Sequence, residues 1–311
     1  LSPIGWAQQT RSYGENHWWP LSLCFIAAIV LCWIALVLER RRDLGAGLIP
    51  DRAGPRGATA ILRTQFGLTL RLQRGSIIGW MLGVVVFALF FGGVATAMAN
   101  LLSSDNPIGR IFTQGAGTLL DGLLGYFTMV NALLVAAFVL QSSDTIRSEE
   151  SDGRAELQWA SAISRVRWAI ARMAVPVLAS LILLALSGAA IGVTYGAAIG
   201  DLGQAGRFVW ASLAYWPSAL LVIGVVMLCA AAIPRAAAAV TWALFGVAVI
   251  LSMFGDLFGL PDWVSQTTPF TAIPRLGADF TALPLVVITL IAVIAAVAGL
   301  WILRRRDLTS A

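Results

Sequence analysis

The residues best placed to do chemistry fall in one stretch, Asp144–Arg172. It holds Arg147, Glu149, Glu150, Asp152, Arg154, Glu156, Arg165, Arg167 and Arg172, with Gly153 among them. An acidic pair followed by arginines can stand in water as a solvated face. It can also dock on a partner whose charges it complements. Catalysis fits less well. All 21 basic residues are arginine. Without a lysine there is no Walker A loop, whose lysine holds the β- and γ-phosphates, and no Schiff-base amine. A single histidine, His17, cannot form a paired-His zinc site or an HExxH helix. G-x-G-x-x-G and G-x-S-x-G are also missing. The chain does not hydrolyse nucleotide itself.

The elements that must position this stretch are apolar. Of 311 residues, 59% are hydrophobic and 12% charged, with a mean hydropathy of +0.83, against roughly 45–50% and 25% in soluble domains. Seven stretches carry no charge and are long enough to cross a bilayer, for which about 17–25 residues suffice. They are Leu21–Leu38, Gly75–Ser104, Gly122–Ser143, Met173–Gly200, Phe208–Pro234, Ala236–Gly255 and Phe280–Leu303. Their helical periodicity is weak, as in helices apolar all round, and short alternating barrel segments are absent. The predicted fold is an all-α integral membrane protein, a polytopic transmembrane helix bundle with seven spans. Cys24 and Cys32, eight residues apart on one helix, sit about 80° apart and cannot bridge.

Arginine placement predicts the direction. Alternate gaps between spans hold 17 arginines on one side and four (Arg11, Arg110, Arg207 and Arg275) on the other. By the positive-inside rule the N-terminus of this segment is expected outside and the C-terminus in the cytoplasm. Trp6, Trp18, Trp19 and Trp263 then fall near the outer interface.

The two ends of the chain resemble each other. Ser2-Pro3 corresponds to Thr268-Pro269, Arg11 to Arg275, and Pro20-Leu21 to Pro284-Leu285. Arg40-Arg41-Arg42-Asp43-Leu44 reappears as Arg304-Arg305-Arg306-Asp307-Leu308. From Pro3 to Asp43 is 40 residues, and from Pro269 to Asp307 is 38. A duplication predicts three parts. Residues 1–45 are the outer segment and last span of an upstream repeat unit. Residues 46–74 are a cytoplasmic linker and an amphipathic interfacial helix (Leu62, Phe66 and Leu70 on one face), or simply the start of the next span. Residues 75–311 are a second six-span unit whose largest cytoplasmic loop is 144–172. A further unit of similar length is expected upstream.

Within the spans, Gly188, Gly192, Gly196 and Gly200, and Gly79 and Gly83, recur at i+4, a spacing that allows close helix contact. A cargo pathway could be lined by Trp80, Phe87, Phe90, Phe91, Tyr126 and Phe127, although lipid-facing aromatics look the same in sequence. Asn131 is the most central amide, suited to bonding a neighbouring helix or touching cargo. No charged residue lies at a span centre, which argues against a proton or sodium relay. The outer segment Asp256–Asp279 carries an uncharged run, Trp263–Pro274, too short to span.

Glu149-Glu150-Ser151-Asp152-Gly153-Arg154-Ala155-Glu156, followed by Ser164-Arg165-Val166-Arg167-Trp168, resembles the first cytoplasmic loop of type 2 ATP-binding-cassette exporter permeases. The chain departs from that pattern at Gln158, Trp159 and Ala162, where the family usually has two leucines and often a proline. Ser2-Pro3-Ile4-Gly5-Trp6 with Gln8-Gln9-Thr10-Arg11, and the Arg-Arg-Arg-Asp-Leu strings, look like the actinobacterial polyketide-antibiotic and tetronasin-resistance exporter permeases. The resemblance implies a permease of the bacterial plasma membrane with two six-span halves. It works with a separate cytoplasmic ATPase dimer, which binds ATP and Mg; this chain holds no cofactor and no nucleic acid. Glu149, Glu150, Gly153, Arg154, Glu156 and Arg165 would form the coupling helix docked on that ATPase. The outer segment would form re-entrant helices at the outer gate, although an ordinary outer loop suits it too. The expected activity is export of amphipathic antibiotic-like or lipid-like molecules. The rival expectation is an ion-gradient-driven secondary transporter built from repeats.

Overall fold

The computed structural model describes residues 3–10, 17–40, 62, 64–101, 118–151, 165–255, 258, 261, 263, 267–274, 276 and 281–305. Among these every regular element is a helix, and seven are long and apolar enough to cross a membrane. This follows from the solvent: in lipid each backbone N–H and C=O must be satisfied within its own segment, and a helix does that.

The chain divides into two compact units, Leu1–Ala58 and Thr59–Ala311. In the first, α1 (Pro3–Gln8) packs against α2 (Trp19–Arg40). The turn between them is tied by Thr10, whose hydroxyl donates to the Ala7 carbonyl at 2.6 Å while its own carbonyl accepts from the His17 N–H at 3.0 Å.

The second unit holds α3 (Gln65–Leu101), α4 (Leu119–Ser151), α5 (Arg165–Ile199), α6 (Gln204–Leu213), α7 (Trp216–Ala232), α8 (Ala237–Phe254) and α9 (Leu283–Arg305). Helix α4 is the most buried and touches α3, α5, α6, α7 and α8. Val135, Ala136, Phe138 and Val139 of α4 are fully covered, packed with Leu183 and Leu184 of α5 and Ile223 of α7. Helix α9 lies along α7 and leaves Val286, Leu290, Val293, Ile294 and Val297 exposed, an apolar face suited to lipid. At its arginine-rich end the Arg305 guanidinium sits 3.9 Å from the Trp301 ring centroid.

Helix α3 runs unbroken for 37 residues, about 55 Å at 1.5 Å per residue, so residues 65–74 are the start of that span, the second of the two expectations for them. Two other boundaries differ from those expected. Both described ends of the stretch 144–172 are helical: α4 continues to Ser151 and α5 begins at Arg165. The run Phe208–Pro234 is two helices, parted at Ala214 and Tyr215. Pro217, in the first turn of α7, cannot donate a backbone hydrogen bond to the turn before it.

The α5–α6 hairpin shows how glycines shape this unit. Gly200 takes φ +77°, a left-handed conformation that favours glycine. Asp201 N–H then returns to the Gly196 carbonyl at 2.9 Å. A Cβ on Gly192 would lie 2.5 Å from Ala205 Cα, and one on Gly196 would lie 2.5 Å from the Asp201 carbonyl oxygen. Helix α6 can reach α5 only because these side chains are missing.

Candidate functional site

One side of α3 carries an open apolar groove, formed by Ser76, Gly79, Trp80, Gly83, Val84 and Phe87, with Leu134 of α4 opposite. The i, i+4 spacing puts Gly79, Gly83 and Phe87 on one stripe. A Cβ at Gly79 or Gly83 would meet nothing within 4 Å. These two glycines therefore hollow the groove; they make no close helix contact within this unit. Beyond Phe87 the aromatics continue as a cluster across α3 and α4. Phe87–Phe91 and Phe91–Phe127 centroids are 4.4 and 4.3 Å apart, Phe90 meets Phe91 edge-on at 5.1 Å, and Tyr126 lies 6.1 Å from Phe127. Trp80 is pinned: its indole N–H donates to Gln141 Oε1 at 2.7 Å, and its ring lies 6.3 Å from Phe138. Such a surface suits flat or branched apolar molecules, held by area and ring stacking.

The sequence-predicted pathway is thus brought together on the α3–α4 seam, with one exception. Asn131 is fully buried in the core, and neither of its amide atoms has a hydrogen-bond partner among the described residues. It is absent from the groove lining.

Of the residues expected to form a coupling helix, Glu149 and Glu150 lie in the last turn of α4, continuous with the buried part of that helix. Arg165 opens α5. Gly153, Arg154 and Glu156 fall outside the described residues. Arg172 corrects the picture of a wholly solvated charged stretch. It is 3% exposed, and its guanidinium lies 4.8 Å from the centroid of Trp168, one helical turn earlier.

The opposite end is tied by polar contacts. Arg207 of α6 donates to Asp121 of α4 at 2.9 Å, and Asp121 also accepts from the Thr118 hydroxyl at 2.9 Å. The Asp201 carboxyl is held below the usual carboxylate range by the Gln204 side-chain amide and then by the Gly203 N–H. The segment 267–274 is anchored to two helices. Ser218 of α7 donates to the Pro269 carbonyl at 2.7 Å, and the Ser252 hydroxyl of α8 bonds that of Thr268 at 2.9 Å. Phe270 and Ile273 from this segment are buried in the central core. The described part of this uncharged run, 267–274, thus inserts into the bundle.

Residues 62–304 match the family model described as the C-terminal domain of the multidrug efflux system permease Rv1217c. The chain belongs to this family. It is also 34% identical over 311 residues to the multidrug efflux system permease protein Rv1217c of Mycobacterium tuberculosis (strain ATCC 25618 / H37Rv). That alignment covers 98% of this chain and 56% of the relative, so the chain spans little more than half the relative's length. The family match takes in α3 through α9, and with them the groove, the aromatic cluster and the anchored segment.

Sequence reasoning passed over a polar layer in this efflux-permease family member, near the arginine-rich ends of its helices. Gln73 of α3 donates to the Ser142 carbonyl at 3.2 Å, and the Ser142 hydroxyl donates to Gln73 Oε1. Asp144 accepts from the Trp242 indole of α8 at 2.9 Å. Gln141-Ser142-Ser143-Asp144 was a visible polar string, but it looked only like the end of a span. Its partners are 61 to 98 residues away in sequence.

Proposed function

We propose that this chain is half of an ATP-driven exporter permease, moving amphipathic antibiotic-like or lipid-like molecules out of the cell. A separate cytoplasmic ATP-binding-cassette ATPase dimer supplies the energy, binding ATP and Mg outside this chain. The observation that carries the reading is the match of α3–α9 to an efflux-permease domain in a chain that has no lysine for a Walker A loop. The 17-to-4 arginine split supports the orientation: the N-terminus of the segment is outside and the C-terminus cytoplasmic. The loop resemblance at Glu149–Glu156 supports docking of the α4–α5 connection on the ATPase.

An upstream half is part of the same proposal. Helices α2 and α9 are 22 and 23 residues long, and each begins one residue before a proline and ends in arginine. The groove at Gly79 and Gly83 then faces the cargo and the other half. A secondary transporter is not favoured, because no carboxylate sits at a span centre.

The test is copurification. The native polypeptide carrying this chain should bring down a cassette ATPase and change its turnover when an amphipathic drug is added. Transport in liposomes on an ion gradient, with no ATPase present, would overturn the proposal.

A further inference from the structure

A second cavity lies away from the groove, where α4, α5, α7, α8 and α9 meet near their arginine-rich ends. Its walls include Ser143, Asp144, Trp168, Ala231, Thr241 and Leu303, and its enclosed volume is about 40 Å³, room for a small polar head rather than for a chain. Almost all of that lining is apolar. Two polar groups stand out. Ser143 is 1% exposed, and its hydroxyl has no hydrogen-bond partner among the described residues, which a buried hydroxyl rarely tolerates. Asp144 is half-buried and accepts one hydrogen bond, from the Trp242 indole through Oδ2. No cation pairs with Asp144 among the described residues. The charge of Arg172 is outside the lining, over the Trp168 ring.

Met173 and Met227 also line a second, apolar groove between α5, α7 and α9, which runs past Val177, Leu220 and Ala296. A carboxylate with a spare oxygen and a buried hydroxyl thus stand on one side of these two methionines, and an apolar groove lies on the other. Methionines at the junction can reshape to fit a chain passing between them.

We propose that this cavity binds a long-chain amine. The protonated nitrogen pairs with Asp144 and donates to Ser143 Oγ, while the alkyl chain lies along the aliphatic groove. The same chemistry is offered by a free alkylamine and by the headgroup of an aminophospholipid. The site belongs to this unit alone, and it is read by binding rather than transport, so it stands or falls apart from the export proposal.

The test uses the native polypeptide in nanodiscs of phosphatidylcholine, titrated with dodecylamine and with dodecanol as the uncharged match. Dodecylamine should bind about tenfold tighter or more, each decade being about 1.4 kcal/mol. Asp144→Asn should erase that preference while keeping an acceptor for Trp242, and Ser143→Ala should reduce it. Ala230→Phe, which fills the cavity from its α7 wall, should weaken both ligands alike. Adding phosphatidylethanolamine to the disc separates the sources. Competition with dodecylamine identifies the lipid as the resident ligand, and none identifies the free amine. Equal affinity of the wild type, Asp144→Asn and Ala230→Phe for dodecylamine would overturn the proposal.

Discussion

Two glycines on helices that touch each other, Gly192 of α5 and Gly206 of α6, should respond to alanine with opposite signs. At Gly192 the added carbon would lie 2.5 Å from Ala205 Cα, 2.9 Å from the Gln204 carbonyl oxygen and 3.0 Å from the Ala205 nitrogen. All three are backbone atoms, so no rotamer change relieves the contact. Carbon pairs prefer about 3.5–4.0 Å, and α6 must therefore retreat by roughly 1 Å. Overpacking of this kind costs about 1–3 kcal/mol, partly offset by about 0.5–1 kcal/mol from removing a glycine inside a helix. The net loss is about 1–2 kcal/mol. At Gly206 a Cβ meets nothing within 4 Å, and only the gain of about 0.5–1 kcal/mol remains. At about 2–4 °C per kcal/mol for domains of 150–250 residues, the two variants should melt about 3–12 °C apart. The assay is thermal melting of the native polypeptide in detergent. Indistinguishable melting of the two variants would refute the steric reasoning. Gly79→Leu and Gly83→Leu extend the test: they should lower export by filling the groove, without disturbing the packing of α5 on α6.

The remaining expectations are shorter. The double variant Glu149→Ala, Glu150→Ala should move melting by less than about 0.5 kcal/mol yet cut export and cargo-stimulated ATP hydrolysis steeply; normal export at wild-type abundance would make the stretch a solvated face. Asn131→Leu should raise the melting temperature, since an unpartnered buried amide costs about 1–3 kcal/mol; a fall would show that the amide has a partner in the assembled protein. Arg207→Ala removes an ion pair whose members are 44% and 22% exposed, so melting should drop by no more than about 1 kcal/mol, and by less at high salt. Because the folded Asp201 carboxyl titrates lower than an ordinary one, its contribution to the α5–α6 turn is present above about pH 4. It is lost only as pH falls through the lower folded value, so melting between pH 6 and 8 should not change through this group.

Charge-free length made the seven spans legible, because lipid excludes charge and obliges a helix. The ends of the helices were not legible in the same way. Leaving lipid is not a reason to stop being helical, and arginine and glutamate are good helix formers, so α4 continues through Arg147 to Ser151. The glycine stripes looked alike in sequence and proved unlike in space. Gly192 touches α6, whereas Gly79 and Gly83 face open space, because only the fold decides which stripe finds a neighbour. The burial of Arg172 had a local clue, the i, i+4 spacing from Trp168. The Gln73–Ser142 and Asp144–Trp242 contacts had none.

Glycine placement also constrains how such a unit could move. Besides the α5–α6 contact, a Cβ at Gly224 of α7 would lie 2.5 Å from the Ala292 carbonyl of α9, and one at Gly299 of α9 would lie 2.8 Å from Met227 of α7. At Gly92 of α3 a Cβ would lie 2.8 Å from the Ile191 carbonyl of α5. Backbones this close cannot slide by a turn without first separating, so shear between these pairs is obstructed. The end opposite the arginine-rich one adds the Arg207–Asp121 pair, and Phe270 and Ile273 sit in the core. What stays open is the α3–α4 groove, where the glycines meet nothing. Within α3–α9, motion that preserves the packed pairs is rigid-body motion of the unit, and the face free to gain and lose contacts is the one carrying Gly79, Trp80, Gly83 and Phe87.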